Sequence, residues 1–157
     1  MQNQTNKESA LKKAQFLCAK QEKCRADIRQ KLYEWKVDAK DHSWIIEKLE
    51  KEKFIDEYRF AGFYVRDKFK FNKWGKIKIE FELKARQIPA EIIKESLDAI
   101  DEDQYRETCE ILMTQKLNSL KGEDPYKIRE KLVRFAQSKG FEADLVFSLS
   151  EKIIKLH

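Results

Sequence analysis

Apolar residues recur every three or four positions along most of this chain, which is the spacing of a buried face on an α-helix. The first such segment would bury Ala10, Ala14 and Leu17, and the second would bury Ile28 and Leu32. Similar segments follow to the end of the chain and are separated by turn-forming residues. The pattern therefore predicts nine helices and an all-α fold.

The segment 54–83 holds the densest aromatic cluster, with six of the chain's ten phenylalanines. The helical spacing predicts a long helix over 56–71, a break at 72–75 and a further helix over 75–86. Two short runs in the same segment, 69–71 and 77–83, alternate strictly between apolar and polar residues. Strict alternation is typical of a β-hairpin, so a hairpin is an alternative here.

An internal repeat decides for helices in this segment. The pattern Ile-x-x-x-Leu occurs at regular offsets of 51 and 49 residues, at Ile28 and Leu32, Ile79 and Leu83, and Ile128 and Leu132. A second apolar group follows each leucine, and the outer two copies lie in clear helical contexts. The repeat indicates three tandem three-helix modules in an elongated, curved array. The expected boundaries are a frayed N-terminus at 1–6 and modules at 7–53, 54–101 and 102–157.

The helix predicted over 75–86 would be apolar on two opposite sides. One side would carry Ile77, Phe81 and Ile88, and the other would carry Ile79 and Leu83. A helix of this kind should be covered on both sides, by its own module and by a neighbouring one.

Composition supports the all-α fold and narrows the location of the protein. The chain is 41% hydrophobic and 39% charged, with four glycines and two prolines, which suits long helices better than a sheet with many turns. No apolar run reaches the roughly 18 residues that cross a bilayer, and the N-terminus lacks the pattern of a secretory signal. We therefore expect no membrane association and a cytoplasmic protein.

The residue types that perform chemistry are sparse. Three cysteines, Cys18, Cys24 and Cys109, lack paired spacing and are expected to be reduced thiols, with Cys18 and Cys109 packed as small hydrophobic residues. The chain has only two histidines, so residues that commonly bind metals are few and no metal site is expected. No triad, paired carboxylates or glycine-rich phosphate loop is arguable. We expect no catalytic residue, no cofactor and a non-enzymatic protein.

Positive charge is concentrated in the segment 66–78, where six basic residues accompany one acid, Asp67. Their net charge equals the formal charge of the whole chain, +5. Acidic residues gather later, between Asp98 and Glu110, where we expect a solvated turn. This distribution suits a protein partner of mixed charge or the phosphates of a nucleic acid.

On a helical wheel of 56–71, Arg59, Arg66 and Lys70 share an arc of roughly 40°, and no acid of that helix falls on it. They are the centre of a candidate binding site for an anionic partner. The other candidates are basic or aromatic residues that extend this surface or form a smaller one: Lys73, Trp74, Lys76, Lys78, Arg25 and Arg29. The alternative is a solvated face whose long side chains cover aromatic rings, with Trp74 folded back onto its own module.

Several residue types occur in a fixed order along the chain. Phe54-Ile55-Asp56-Glu57-x-Arg59-Phe60-Ala61 precedes Tyr64-Val65 and Gly75-x-x-x-Ile79-x-x-x-Leu83. The first module contributes the segment from Lys20 to Leu32, and the third contributes Lys131-Leu132, Phe135 and Lys139-Gly140-Phe141. In these residues the chain resembles the RecX family from about Ala10 to Ile154, although Cys24 stands where the family usually has a serine cap.

The resemblance implies a function that composition does not name. RecX proteins regulate RecA, lie in the groove of the RecA–DNA filament and inhibit its strand exchange and ATPase activity. A member of this family would act in DNA repair, homologous recombination and the SOS response, with the RecA filament as its partner and single-stranded DNA through or beside RecA. The candidate residues would contact RecA or DNA. A monomer is expected, with an oligomer left open. The alternative is a helical protein that binds DNA directly and acts without RecA.

Overall fold

The computed structural model describes residues 6–156, and every regular element in that range is an α-helix. The nine helices of this range are α1 (Lys7–Lys20), α2 (Arg25–Glu34), α3 (Ala39–Lys51), α4 (Glu57–Lys70), α5 (Lys76–Ala85), α6 (Ala90–Asp98), α7 (Glu102–Ser119), α8 (Pro125–Ser138) and α9 (Ala143–Leu156). The predicted all-α fold is confirmed. Residues 1–5, most of the predicted frayed N-terminus, and residue 157 lie outside the described residues.

The helices pack as three consecutive groups of three. α1, α2 and α3 contact one another, and the same holds within α4–α6 and within α7–α9. Each group encloses an apolar core of its own, and burial of that core is the main source of its stability. The predicted tandem arrangement is confirmed. The exact module boundaries and the curvature of the array stay predictions.

The internal repeat falls on the second helix of each group. Its fully buried members are Ile28, Leu32, Ile79, Leu83 and Leu132. The turn after each of these helices contains one residue in the left-handed conformation, with φ of 58° at Lys36, 60° at Gln87 and 98° at Gly140. The repeat is therefore present in the backbone as well as in the apolar positions.

The hairpin alternative for the segment 69–83 is wrong, because α4 ends at Lys70 and α5 begins at Lys76. The expectation that α5 is covered on both sides is also wrong. Ile79 and Leu83 are fully buried, but Ile77 is 53% exposed and Phe81 is 70% exposed. Ile88, the third residue predicted on that side, is buried but lies after the end of α5. α5 packs on α4 and α6 of its own group, so its second apolar side faces solvent.

The second and third groups meet where the turn before α5 crosses the turn before α9. The Gly75 N–H donates to the Lys139 carbonyl at 2.7 Å, and the Ile77 N–H donates to the Gly140 carbonyl at 3.0 Å. A Cβ on Gly75 would lie 2.3 Å from the Gly140 backbone, and a Cβ on Gly140 would lie 2.4 Å from the Lys78 Cβ. Since neither position has room for a side chain, the two glycines set how closely the groups approach.

Tyr105 packs beside this crossing. Its ring lies 5.7 Å from that of Phe69 and 5.2 Å from that of Phe141, between ring centroids. Its hydroxyl accepts the Lys76 N–H at 2.8 Å and donates to the Glu142 carboxylate. Burial, with the hydrogen bond to Glu142, raises the pKa of Tyr105 above its usual value. The second and third groups are thus joined by backbone hydrogen bonds, ring contacts and a polar network.

All three cysteines are free thiols, and Cys24 and Cys109 are buried while Cys18 is half-buried. Burial raises the pKa of Cys18 to about 11 and the pKa values of Cys24 and Cys109 to about 12. Within residues 6–156, no three His, Cys, Asp or Glu side chains converge to hold a metal ion. The helices of that range are also too short or too polar to cross a bilayer.

Candidate partner-binding surface

α4 contributes one wall of a groove between the second and third groups. The helix begins at Glu57 because the side chain of Asp56, the residue before it, caps the first turn by accepting the Arg59 N–H at 3.0 Å. After α4 ends, Lys73 adopts the left-handed conformation, and its Nζ donates to the Lys70 carbonyl at 2.7 Å. Arg66, Lys70 and Lys73 consequently line the same groove. The structure brings these three candidate residues together.

The third group supplies the opposite wall of this groove. Asp101, Gln104 and Glu107 lie there, at the start of α7, and the groove encloses about 720 Å³. The acidic residues expected in a solvated turn are therefore mostly helical, and two of them face a basic wall. Within residues 6–156, no ion pair joins the two walls. Both signs of charge remain accessible to a partner.

Arg59 does not belong to this groove. Its Nε lies 2.7 Å from the Glu22 carboxylate, and its Nη2 donates to the carbonyls of Lys53 at 3.2 Å and Phe54 at 3.3 Å. The wheel correctly showed that α4 carries no acid beside Arg59. Glu22, however, comes from the turn between α1 and α2, which the wheel of a single helix does not include. Arg59 therefore joins the first group to the second.

Arg25 is also occupied by acids. Its Nη2 lies 2.5 Å from the Glu50 carboxylate, and its Nε lies 3.8 Å from the Glu57 carboxylate. The hydrogen bond to Glu50 raises the pKa of Arg25, and burial raises the pKa of Glu57. Arg29, by contrast, is exposed on α2 and has no ion pair within residues 6–156. The predicted smaller basic face therefore reduces to Arg29.

Trp74 is folded back onto its own group. The ring is half-buried against the core of the second group. The Nζ of Lys68 lies 5.2 Å from its centroid, and the Nζ of Lys78 lies 4.5 Å from it. Cations at these distances are attracted to the face of the indole ring. Trp74 and Lys78 thus form a cluster with Lys68, which was not among the predicted residues.

Lys76 lies in the contact between the second and third groups. Its side chain is 18% exposed, and its Nζ donates to Glu102 at 3.0 Å. The same Nζ lies 4.8 Å from the centroid of the Tyr105 ring. With these partners, Lys76 positions the two groups relative to each other.

The third group holds a basic cluster that the sequence patterns did not indicate. The Nζ of Lys116 lies 5.3 Å from the centroid of the Phe135 ring, and the Nζ of Lys139 lies 6.0 Å from it. Lys116, Phe135 and Arg134 also line a hollow of about 310 Å³. These cations come from α7, α8 and the turn after α8, so no short run of charge marks them. The available signal was α8 itself, which carries four basic residues and one acid.

Two parts of the sequence match profiles described as the second and the third three-helix domain of RecX. The first match covers residues 56–97, and the second covers residues 102–149. They fall on the second and third groups of helices, whose residues line the groove.

Relatives of the chain carry the same family name. "Regulatory protein RecX" of Clostridium botulinum (strain Eklund 17B / Type B) is 33% identical over 134 residues, which is 84% of this chain and 62% of that protein. The chain spans 58–62% of the length of that protein and of two other clostridial relatives. "Regulatory protein RecX" of Chlorobium phaeobacteroides (strain BS1) is 28% identical over 151 residues, which is 96% of this chain and 97% of that protein.

A solved structure shows the same fold. The crystal structure of RecX from Lactobacillus salivarius matches with a TM-score of 0.83 at 20% sequence identity, covering 94% of this chain and 96% of that one. At this identity the likeness bears on the fold alone. The two domain matches and the named relatives establish the family: the chain belongs to the RecX family.

Proposed function

We propose that this chain regulates RecA by binding the RecA–DNA filament, and that it inhibits the recombinase and ATPase activities of the filament. It would act in the cytoplasm, in DNA repair by homologous recombination and in the SOS response. The name of its relatives, regulatory protein, supports a regulator. It would act by binding rather than by catalysis.

The observation that carries this proposal is the groove between α4 and α7. Its basic wall of Arg66, Lys70 and Lys73 faces an acidic wall that includes Asp101 and Glu107. A smooth phosphate backbone would be attracted to the first wall and repelled by the second. A protein surface with both signs of charge can satisfy both walls, and such complementarity increases specificity and the rate of association.

The floor of the groove adds apolar contact to this charge pattern. Val65, Phe69 and Ile100 also line the groove, with Val65 buried and Phe69 and Ile100 half-buried. An interface of this kind has an apolar centre and a charged rim. Association should therefore weaken with rising salt, although less steeply than binding that depends on phosphate contacts alone.

Co-sedimentation with RecA filaments assembled on single-stranded DNA tests the proposal. The chain should pellet with the filaments, and its pelleted fraction should exceed the fraction retained by the same amount of bare DNA. RecA without DNA provides the second control. Retention by bare DNA with no gain from RecA would contradict the proposal and favour the alternative of a DNA-binding protein that acts without RecA.

A further inference from the structure

Two basic clusters lie outside the groove, one on each side of the crossing between the second and third groups. The Trp74 cluster consists of Lys68, Trp74 and Lys78, with both ammonium groups near the indole ring. The Phe135 cluster consists of Lys116, Phe135 and Lys139, with both ammonium groups near the phenyl ring. In each cluster, a half-buried aromatic ring holds two lysines from different parts of the chain.

The crossing brings the two clusters next to each other. Trp74 immediately precedes Gly75, whose N–H donates to the carbonyl of Lys139 at 2.7 Å. Lys139 immediately precedes Gly140, where an added Cβ would lie 2.4 Å from the Cβ of Lys78. The backbone at Lys78 thus lies beside Gly140, the residue after Lys139. The crossing therefore places the chain segments that carry the two clusters side by side.

The acids near this surface lie at its Lys68 end. Lys68 lies 3.9 Å from Asp67, its neighbour on α4, and it lines a hollow that Glu22 and Asp27 also line. Lys78, Lys116 and Lys139 have no ion pair in the part of the chain that the structure describes. Arg134 lines the hollow beside Phe135 and adds a further cation, whereas Lys131 in the same hollow is paired with Glu123.

We propose that the Trp74 and Phe135 clusters together bind the sugar–phosphate backbone of single-stranded nucleic acid. Ammonium groups that are held over rings are already ordered, so less side-chain freedom is lost when a phosphate binds. Cations that follow the backbone are a regular part of sites for single strands. Here the rings hold the lysines in place, so the contacts that we expect are to phosphates. The groove lacks this pattern, since acids form one of its walls.

This surface is separate from the groove that binds RecA in the proposed function. Two of its residues, Trp74 and Lys78, are candidates that the sequence predicts. The other four, Lys68, Lys116, Phe135 and Lys139, are identified from the structure. A chain that contacts RecA with the groove and the strand with these clusters would engage both components of a filament.

Binding of the 157-residue chain to a fluorescent oligothymidylate, measured by anisotropy over a series of salt concentrations, tests the inference. Four lysines on phosphates predict a slope of about −3 for the logarithm of affinity against the logarithm of salt. The double variant Lys116→Gln/Lys139→Gln should lower affinity about tenfold at low salt and reduce the slope by about 1.4. Circular dichroism and urea unfolding confirm that the variant is folded.

The matched control is Lys40→Gln/Lys51→Gln, which removes two exposed lysines of α3 that have no ion pair among the described residues. It should leave affinity within about twofold of the unmodified chain, apart from the small change in net charge. An equal loss in both double variants, or none in the folded Lys116→Gln/Lys139→Gln chain, would overturn the inference. So would equally tight binding of polyglutamate.

A third variant separates this inference from the proposed function. Arg66→Gln/Lys70→Gln changes the groove and leaves both clusters intact, so it should reduce capture by RecA filaments while changing oligothymidylate affinity no more than Lys40→Gln/Lys51→Gln does. Failure of the oligonucleotide experiment with intact filament capture would refute the nucleic-acid surface alone. Intact oligonucleotide binding with no gain from RecA would refute the filament proposal alone.

Discussion

At the scale of single residues, three glycines differ in what excludes a side chain. Gly75 has an ordinary φ of −78°, so only the adjacent Gly140 backbone excludes a Cβ there. Gly140 combines a φ of +98° with a close contact to Lys78. Gly122 has a φ of +89° and no atom within 4 Å of an added Cβ. The three positions therefore separate steric overlap from backbone strain.

Alanine at each position should show this separation in the free energy of unfolding, measured in urea by circular dichroism. Gly122→Ala should cost about 1 to 2 kcal/mol, because the left-handed conformation disfavours a Cβ. Gly75→Ala should cost about 1 to 3 kcal/mol through overlap alone. Gly140→Ala has both penalties and should be the least stable. Wild-type stability in Gly75→Ala would show that the crossing is not a close contact in solution.

At the scale of helices, the sequence predicts most of the helices and the breaks between them, because apolar spacing and turn residues are local signals. The break before Gly75 and the repeat on α2, α5 and α8 follow from such signals. The covering of α5 did not, since Ile77 and Phe81 are apolar in the sequence but exposed in the fold. Periodicity shows which sides of a helix are apolar, whereas burial depends on which helices are near enough to cover them.

The candidate residues show the same limit. Arg66, Lys70 and Lys73 line one groove because they are close along α4 and the turn after it. Arg59 shares their arc but is paired with Glu22, which lies 37 residues away in the chain. The Phe135 cluster likewise combines α7, α8 and the turn after α8. Contacts between distant segments require the tertiary arrangement, which no local pattern contains.

The contact between the first and second groups depends on such pairs. Among residues 6–156, three ion pairs cross it: Arg59 with Glu22 at 2.7 Å, Arg25 with Glu57 at 3.8 Å, and Arg86 with Asp27 at 3.8 Å. Cys24 adds apolar contact by packing into the core of the second group. Because most of these charged side chains are partly exposed, each pair should contribute modestly and be sensitive to salt.

A double-mutant cycle at Arg59 and Glu22 measures this contribution. Arg59→Glu should be destabilised, because two carboxylates then face each other, and Glu22→Arg in the same chain should recover part of the loss. The expected coupling is about 0.5 to 1 kcal/mol at low salt, and it should shrink at about 1 M salt. Urea midpoints of the four chains provide the measurement. Additive effects at low salt would show that the pair does not join the groups.

At the scale of the whole molecule, the candidate groove exists because two groups of helices are held in a fixed relation. One wall comes from α4 and the other from α7, while the Gly75–Gly140 crossing and the Tyr105 network join their groups. Stability of this contact and binding in the groove are therefore linked. The uneven distribution of charge along the sequence becomes two walls of opposite charge in the fold.

The central claim is that the basic wall of this groove binds the RecA filament. The direct measurement is inhibition of RecA's DNA-dependent ATPase by Arg66→Glu/Lys70→Glu, compared with Lys40→Glu/Lys51→Glu on α3. Arg59 is left unchanged, because its reversal would disturb the contact with Glu22. The groove variant should keep its helical circular dichroism and lose about tenfold or more in inhibitory potency, since two attractive contacts become repulsive. The α3 variant should inhibit like the unmodified chain. Undiminished inhibition by the folded groove variant, or an equal loss in the α3 variant, would contradict the claim.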